Sequence, residues 1–146
     1  MTDNYKFVNT AFVKTRVAWI TPPLGVNRSG RIESGAPLIV MGHPYGLPLK
    51  IGNGVVLDSS PRDHFTSNTD TYAGNSGSPV FNAATGLIEG VFIWGMEEDY
   101  VLRGRCYVSN HCPEFGGCEP QGVTKILNVL PWLPQPAGLP LFDRRG

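Results

Sequence analysis

Glycine and proline are scattered between short apolar runs along most of this chain, and that spacing leaves little room for helices. A run cut every few residues by glycine, which accepts any turn, or by proline, which removes a backbone donor, suits a strand better than a helix of several turns. The chain holds 18 Gly and 13 Pro in 146 residues, and the runs between them are rich in Val, Ile, Leu and Phe. That is the pattern of a folded β domain with many turns and not of a disordered linker. The length suits one domain, residues 1–146, and an all-β barrel fits best.

The individual runs give a coarse order of elements. Ala11 to Ile20 reads as a strand, with Thr21-Pro22-Pro23-Leu24-Gly25 as its exit loop, and Leu38 to Gly42 as a short buried strand. Leu49 to Leu57 alternates around Gly52-Asn53-Gly54, which suggests a hairpin or a bulge there. Val80-Phe81 and Leu87 to Trp94 form the clearest hairpin, turning at Thr85-Gly86; a polar excursion, Met96 to Asp99, then leads to a strand at Tyr100 to Leu102. Val123, Ile126, Leu127 and Leu130 fall at helical spacing, predicting a short C-terminal helix from Thr124 to Leu130 stopped by Pro131. From Pro131 the prolines forbid regular structure, leaving residues 131–146 as a proline-rich tail.

Charge narrows the partners. Twelve basic and twelve acidic residues cancel, so no strong field argues for nucleic acid or an anionic membrane. No apolar stretch is long enough to span a bilayer, and no leader or internal repeat is visible, so a soluble domain is expected.

The chemistry is concentrated in Thr69-Asp70-Thr71-Tyr72-Ala73-Gly74-Asn75-Ser76-Gly77-Ser78-Pro79-Val80-Phe81. Gly74 permits a turn where a side chain would block a substrate carbonyl, and Gly77 relieves crowding after the serine. Together they can aim the Gly74 and Ser76 amides into one oxyanion-binding hole, with Ser76 as nucleophile and Pro79 opening a strand that holds the loop. Glycines and prolines alone more often shape hairpins, so the flanks decide.

Those flanks, Gly-Asn-Ser-Gly-Ser-Pro-Val-Phe-Asn at 74–82 followed by Leu87-Ile88-Glu89-Gly90-Val91-Phe92, resemble the C-terminal barrel of bacterial trypsin-like serine peptidases. This is the chymotrypsin-fold group that includes glutamyl endopeptidases. Gly35 to Pro48, with its Gly42-His43-Pro44 segment, resembles the same group, and the likeness runs from about Ser29 to about Ile126. It implies a single six-stranded antiparallel barrel and acyl transfer on peptide or ester substrates with no cofactor required; members of the group are mostly exported, while the localisation of this chain is left open.

In that family a catalytic His and Asp come from an N-terminal barrel, which is not expected here. Asn9-Thr10-Ala11-Phe12-Val13-Lys14 faintly resembles the strand bearing the family's Asp, with Asn9 at the acidic position and residues 1–20 as a remnant, so the triad is incomplete within the chain. His43 and His64 are the candidate bases, with a structural role the better reading of His43, and an in-chain imidazole must lie within hydrogen-bond reach of Ser76. The resemblance also places Asp70, six before the serine, at the floor of the substrate pocket beside Thr71. A buried carboxylate there would select Lys or Arg, while a turn-capping Asp is the competing reading. Phe92 falls where glutamyl-specific relatives carry a His, which argues against Glu specificity.

A second constellation is Cys106, His111, Cys112 and Cys118. Three cysteines leave one over after a single disulfide, and the plain reading is a loop staple. The sharper reading is a Zn²⁺ site, although the spacing lacks a Cys-x-x-Cys knuckle. Two functions follow: a serine hydrolase whose base is missing or supplied by a partner chain, or a truncated protease reused as a binding module or a zinc-dependent hydrolase of esters or phosphoesters. A barrel without its companion exposes apolar surface, so a two-fold homodimer is expected, with Ala11 to Ile20 as the element to pair or exchange.

Overall fold

The computed structural model describes residues 24–95, 99–110 and 119–133. Eight strands follow in order: β1 (Pro37–Gly42), β2 (Lys50–Asp58), β3 (His64–Ser67), β4 (Pro79–Asn82), β5 (Ile88–Trp94), β6 (Tyr100–Arg103), β7 (Cys106–Ser109) and β8 (Gln121–Lys125). Six of them close into an antiparallel barrel in the order β1-β2-β3-β8-β5-β4, and β6 and β7 form a separate hairpin. The expected all-β barrel is therefore the fold. The expected strand at Ala11 to Ile20, and the tail beyond Leu133, lie outside the described residues.

Alternation along the strands builds the core. Leu38 and Val40 on β1, Val56 on β2, Phe65 on β3, Val80 on β4, Phe92 on β5 and Val123 on β8 pack together with Ile32. Phe65 is wholly buried, and cutting such a ring back to alanine costs about 3–5 kcal/mol.

Gly52 and Gly54 do not make a turn. β2 runs through them without a break, paired with β1 from Val55 to Lys50. Their role is close approach: a Cβ on Gly52 would lie 1.9 Å from the Asp70 carbonyl oxygen, and one on Gly54 2.6 Å from the Thr69 Cα. Glycine inside a strand marks a place where another backbone comes near, and here that backbone is the start of the serine loop. The strand does bulge, but further along, between Val56 and Asp58. The C-terminal helix begins later than expected, because Thr124 and Lys125 still belong to β8; it consists of two 3₁₀ turns, Ile126–Asn128 and Leu130–Trp132.

Antiparallel order fixes which loops share a rim. β1, β3 and β5 end at the rim where β2, β4 and β8 begin, so residues 43–49, 68–78 and the β6–β7 hairpin gather there. The opposite rim is tied by side chains. Register shifts around Glu89 (Val80 opposite Gly90, Phe81 opposite Ile88) and that residue is buried. Its carboxylate accepts from the Asn27 Nδ2 at 2.6 Å and the Asn82 Nδ2 at 3.2 Å, fastening residues 25–27 alongside Ile88, with which they exchange backbone hydrogen bonds. Lys125 Nζ closes the same rim by donating to the carbonyls of Ser59 and Pro61.

Candidate active site

A buried polar chain forms the floor of the serine loop. Thr69 Oγ1 lies 3.0 Å from Ser67 Oγ and donates to Gln121 Oε1 at 3.0 Å. Gln121 Nε2 donates to the Thr71 carbonyl at 3.3 Å, and Asn75 Nδ2 donates to Thr71 Oγ1. Thr71 and Asn75 are buried while Ser76 is exposed. The Asn75 side chain is thus the anchor, and the next residue is lifted into solvent. Gly42 is required beneath it, since a Cβ there would meet Asn75 Oδ1 and Ser78 Oγ.

The backbone of the loop is almost fully committed. Ala73 N–H donates to Asp99 Oδ2 at 2.6 Å, Asn75 N–H to the Tyr72 carbonyl at 3.3 Å, Gly77 N–H to the Phe92 carbonyl at 2.8 Å and Ser78 N–H to the Asn75 carbonyl at 2.9 Å. From 73 to 78 only the amides of Gly74 and Ser76 donate to nothing among the described residues. Each belongs to a peptide group whose oxygen is already held. The Ala73 oxygen, in the group carrying the Gly74 N–H, accepts from Tyr45 N–H at 3.0 Å; the Asn75 oxygen, in the group carrying the Ser76 N–H, accepts from Ser78. In a trans peptide the N–H points opposite to the C=O, so fixing each oxygen fixes the direction of the idle amide. Positive φ at Gly74 (89°) and Gly77 (91°) makes the two turns that separate them from their neighbours.

Ser76 Oγ donates to the Ile93 carbonyl at 3.3 Å, a long and weak contact. No imidazole among the described residues reaches it. His43 Nδ1 pairs with the Leu47 carbonyl at 3.0 Å, closing its own turn. His64 opens β3 at the far rim, bonds Asp63 through Nδ1 at 2.7 Å, and sets its ring edge-on to Trp94 at 5.2 Å. Trp94 reaches it by lying over Gly122, where a Cβ would meet the indole at 2.1 Å.

The substrate-pocket residues separate. Asp70 is exposed, with its N–H given to the Asn53 carbonyl, so the premise of a buried selecting carboxylate does not hold. Thr71 serves the floor, and the Phe92 ring lies in the core, while its backbone bonds Gly77 and Ser78 of the loop. Of the cysteine constellation, Cys106 is exposed on β7 with a free thiol, while His111, Cys112 and Cys118 lie outside the described residues. No group of three metal-ligating side chains forms among the described residues.

Three residues that hold the loop went unread in the sequence. Asp99, in a stretch that reads only as polar, reaches 26 positions back to Ala73. Tyr45 supplies both the N–H on Ala73 and a hydroxyl donating to Asp99 Oδ2 at 2.9 Å, a bond that raises its phenol above the ordinary 10.0 and keeps it a donor. Gln121 looks like any polar residue opening a strand. Local pattern carries no signal for such long-range partners; only the odd glutamine ahead of Gly-Val-Thr hints at one.

A family profile described as the trypsin-like peptidase domain matches residues 4–91, more than half of the chain. No curated protein matches significantly. Among solved structures, the inactive form of a serine-to-alanine mutant of Rv3671c from M. tuberculosis H37Rv is similar, with a TM-score of 0.55 and 20% identity, over 77% of this chain and 52% of that one. The chain thus spans about half the length of that protein, and at this identity the likeness is one of fold.

Proposed function

We propose, for a chain that belongs to the trypsin-like peptidase domain family, acyl transfer on peptide or ester substrates with Ser76 as the nucleophile. One observation carries the reading: an exposed serine hydroxyl flanked by two idle amides whose directions are set by hydrogen bonds on their own peptide oxygens. Ser76 Oγ leaves the Ile93 carbonyl and bonds to the substrate carbonyl carbon. Its proton passes to an imidazole base from outside the described residues, and the oxygen that gains charge is received by the Gly74 and Ser76 N–H groups. Collapse of the tetrahedral adduct breaks the bond to the leaving amine or alcohol, which takes the proton, and water then releases the acyl group by the same steps.

Preorganised amides are worth about 10²–10³ in rate for each donor lost. Asp70, exposed at the head of the loop, favours basic substrate residues only weakly, because water screens an exposed pair. The test is covalent labelling by a fluorophosphonate. Wild-type chain should label at Ser76, and Ser76→Ala should take no label and lose most ester turnover. Its stability should stay within about 0.5 kcal/mol, as for most surface substitutions. Labelling that survives in Ser76→Ala refutes the assignment.

A further inference from the structure

The Gly74 amide owes its direction to residues well outside the loop. Tyr45 N–H holds the oxygen of the peptide group that carries it, and Asp99 Oδ2 holds the N–H of the peptide group just before, so Ala73 is clamped on both sides. Tyr45 hydroxyl and Ala73 N–H share the same carboxylate oxygen, which locks the 43–47 turn to the serine loop. Tyr45 adopts a φ of 52°, in the left-handed region, so its conformation needs such support. Asp99 itself is fixed by the hairpin it introduces. Its carbonyl accepts from Asn110 N–H at 2.8 Å, and Tyr100, the next residue, stacks on Tyr72 at 5.7 Å and tilts against Tyr45 at 5.6 Å.

From this clamp we infer that Asp99 is a positioning residue for the oxyanion amide of Gly74, through which the β6–β7 hairpin sets the competence of the serine loop. The inference rests on the proposed role of Ser76 and extends it. Burial supports it: Asp99 is 5% exposed, and its Oδ1 has no hydrogen-bond partner among the described residues. A buried carboxylate with one idle oxygen is costly to keep, and the two bonds at Oδ2 are what it provides here.

The idle Oδ1 also makes the test selective. Asp99→Asn can keep an oxygen for Ala73 and Tyr45 and place its NH₂ at the idle position, whereas Asp99→Ala removes the clamp. In the full chain, Asp99→Ala should speed exchange of the Ala73 amide at least tenfold and move its proton resonance upfield. The bond-forming rate constant of fluorophosphonate labelling should fall about tenfold or more, as expected for a misplaced reacting group, with the half-saturating concentration unchanged. Asp99→Asn should restore both, and Tyr45→Phe should show smaller changes in the same direction. Unchanged Ala73 exchange in Asp99→Ala, or an Asn variant as impaired as the Ala variant, overturns the inference. Should Asp99→Ala not fold, Tyr45→Phe decides alone, and an Ala73 amide identical to wild type overturns it. A wild-type chain that takes no label refutes the nucleophile instead, while the amide measurements still decide the role of Asp99.

Discussion

Gly74 and Gly77 lie three residues apart in one loop, and replacing each by alanine should separate two costs that usually come together. Both have strongly positive φ, 89° and 91°, so either alanine carries a backbone penalty of about 1–3 kcal/mol. They differ in surroundings. A Cβ on Gly77 meets nothing within 4 Å among the described residues, whereas one on Gly74 would lie 2.7 Å from the backbone nitrogen of Tyr45. That nitrogen belongs to main chain and cannot swing away. The 43–47 turn must shift, adding about 1–3 kcal/mol of overpacking and breaking the bond that aims the Gly74 amide. Urea unfolding should therefore show Gly77→Ala mildly destabilised and Gly74→Ala lower again, by about 1 M in midpoint for a slope near 2 kcal/mol/M. Labelling at Ser76 should fall further in Gly74→Ala than the loss of folded protein explains. Equal midpoints for the two variants would refute the close approach of Tyr45 and with it the account of how the amide is directed.

Three other outcomes are expected. Asp63 and Asp58 titrate below their ordinary 3.8, Asp63 through the hydrogen bond from His64 and Asp58 through that from Ser60 N–H. A depressed folded value gives stability that is present above 3.8 and lost as pH falls through it, so denaturation of Asp63→Asn and Asp58→Asn should differ from wild type at pH 7 and converge with it in strong acid. Glu89→Ala removes the acceptor shared by the amides of Asn27 and Asn82, leaving Asn27 only its bond to the Arg31 carbonyl, and a loss of about 1–3 kcal/mol in thermal or urea unfolding should follow; a neutral result would mean that residues 25–31 are not held by this clip. Leu47, Leu49 and Ile51 are exposed on one side of the serine rim, and light scattering at micromolar concentration should report a dimer that covers them, whereas a monomer at every concentration rules it out.

What was legible in the sequence is what depends on local rules. Alternation in Leu38–Val40 and Val80–Phe92 faces the right residues inward, the Thr85-Gly86 turn sits where the β4–β5 hairpin reverses, and the serine loop stands out by its glycines. Failures share one cause. Gly52 and Gly54 read as a turn because glycine has two uses, and only the arrival of residues 69–70 from elsewhere in the chain shows which one applies. Asp99 was invisible because a buried carboxylate and a solvated one look alike until their partners, here Tyr45 and Ala73, are known. The candidate base His64 fell at the wrong rim, a matter of strand direction that the spacing between histidine and serine does not reveal.

Division of labour within the proposed mechanism has a consequence for the barrel alone. Both idle amides, and every contact found to aim them, come from residues 43–99, whereas no described imidazole reaches Ser76. In serine hydrolases stripped of a triad member, the oxyanion site and binding still leave about 10³–10⁴ over water. Ser76→Ala should therefore lose most ester turnover yet still hydrolyse activated esters measurably above water, and Gly74→Ala added to it should remove most of that remainder. Ester hydrolysis no faster than buffer in the wild-type chain, with the Ala73 amide protected as expected, would mean that the two idle amides do not receive the same oxygen.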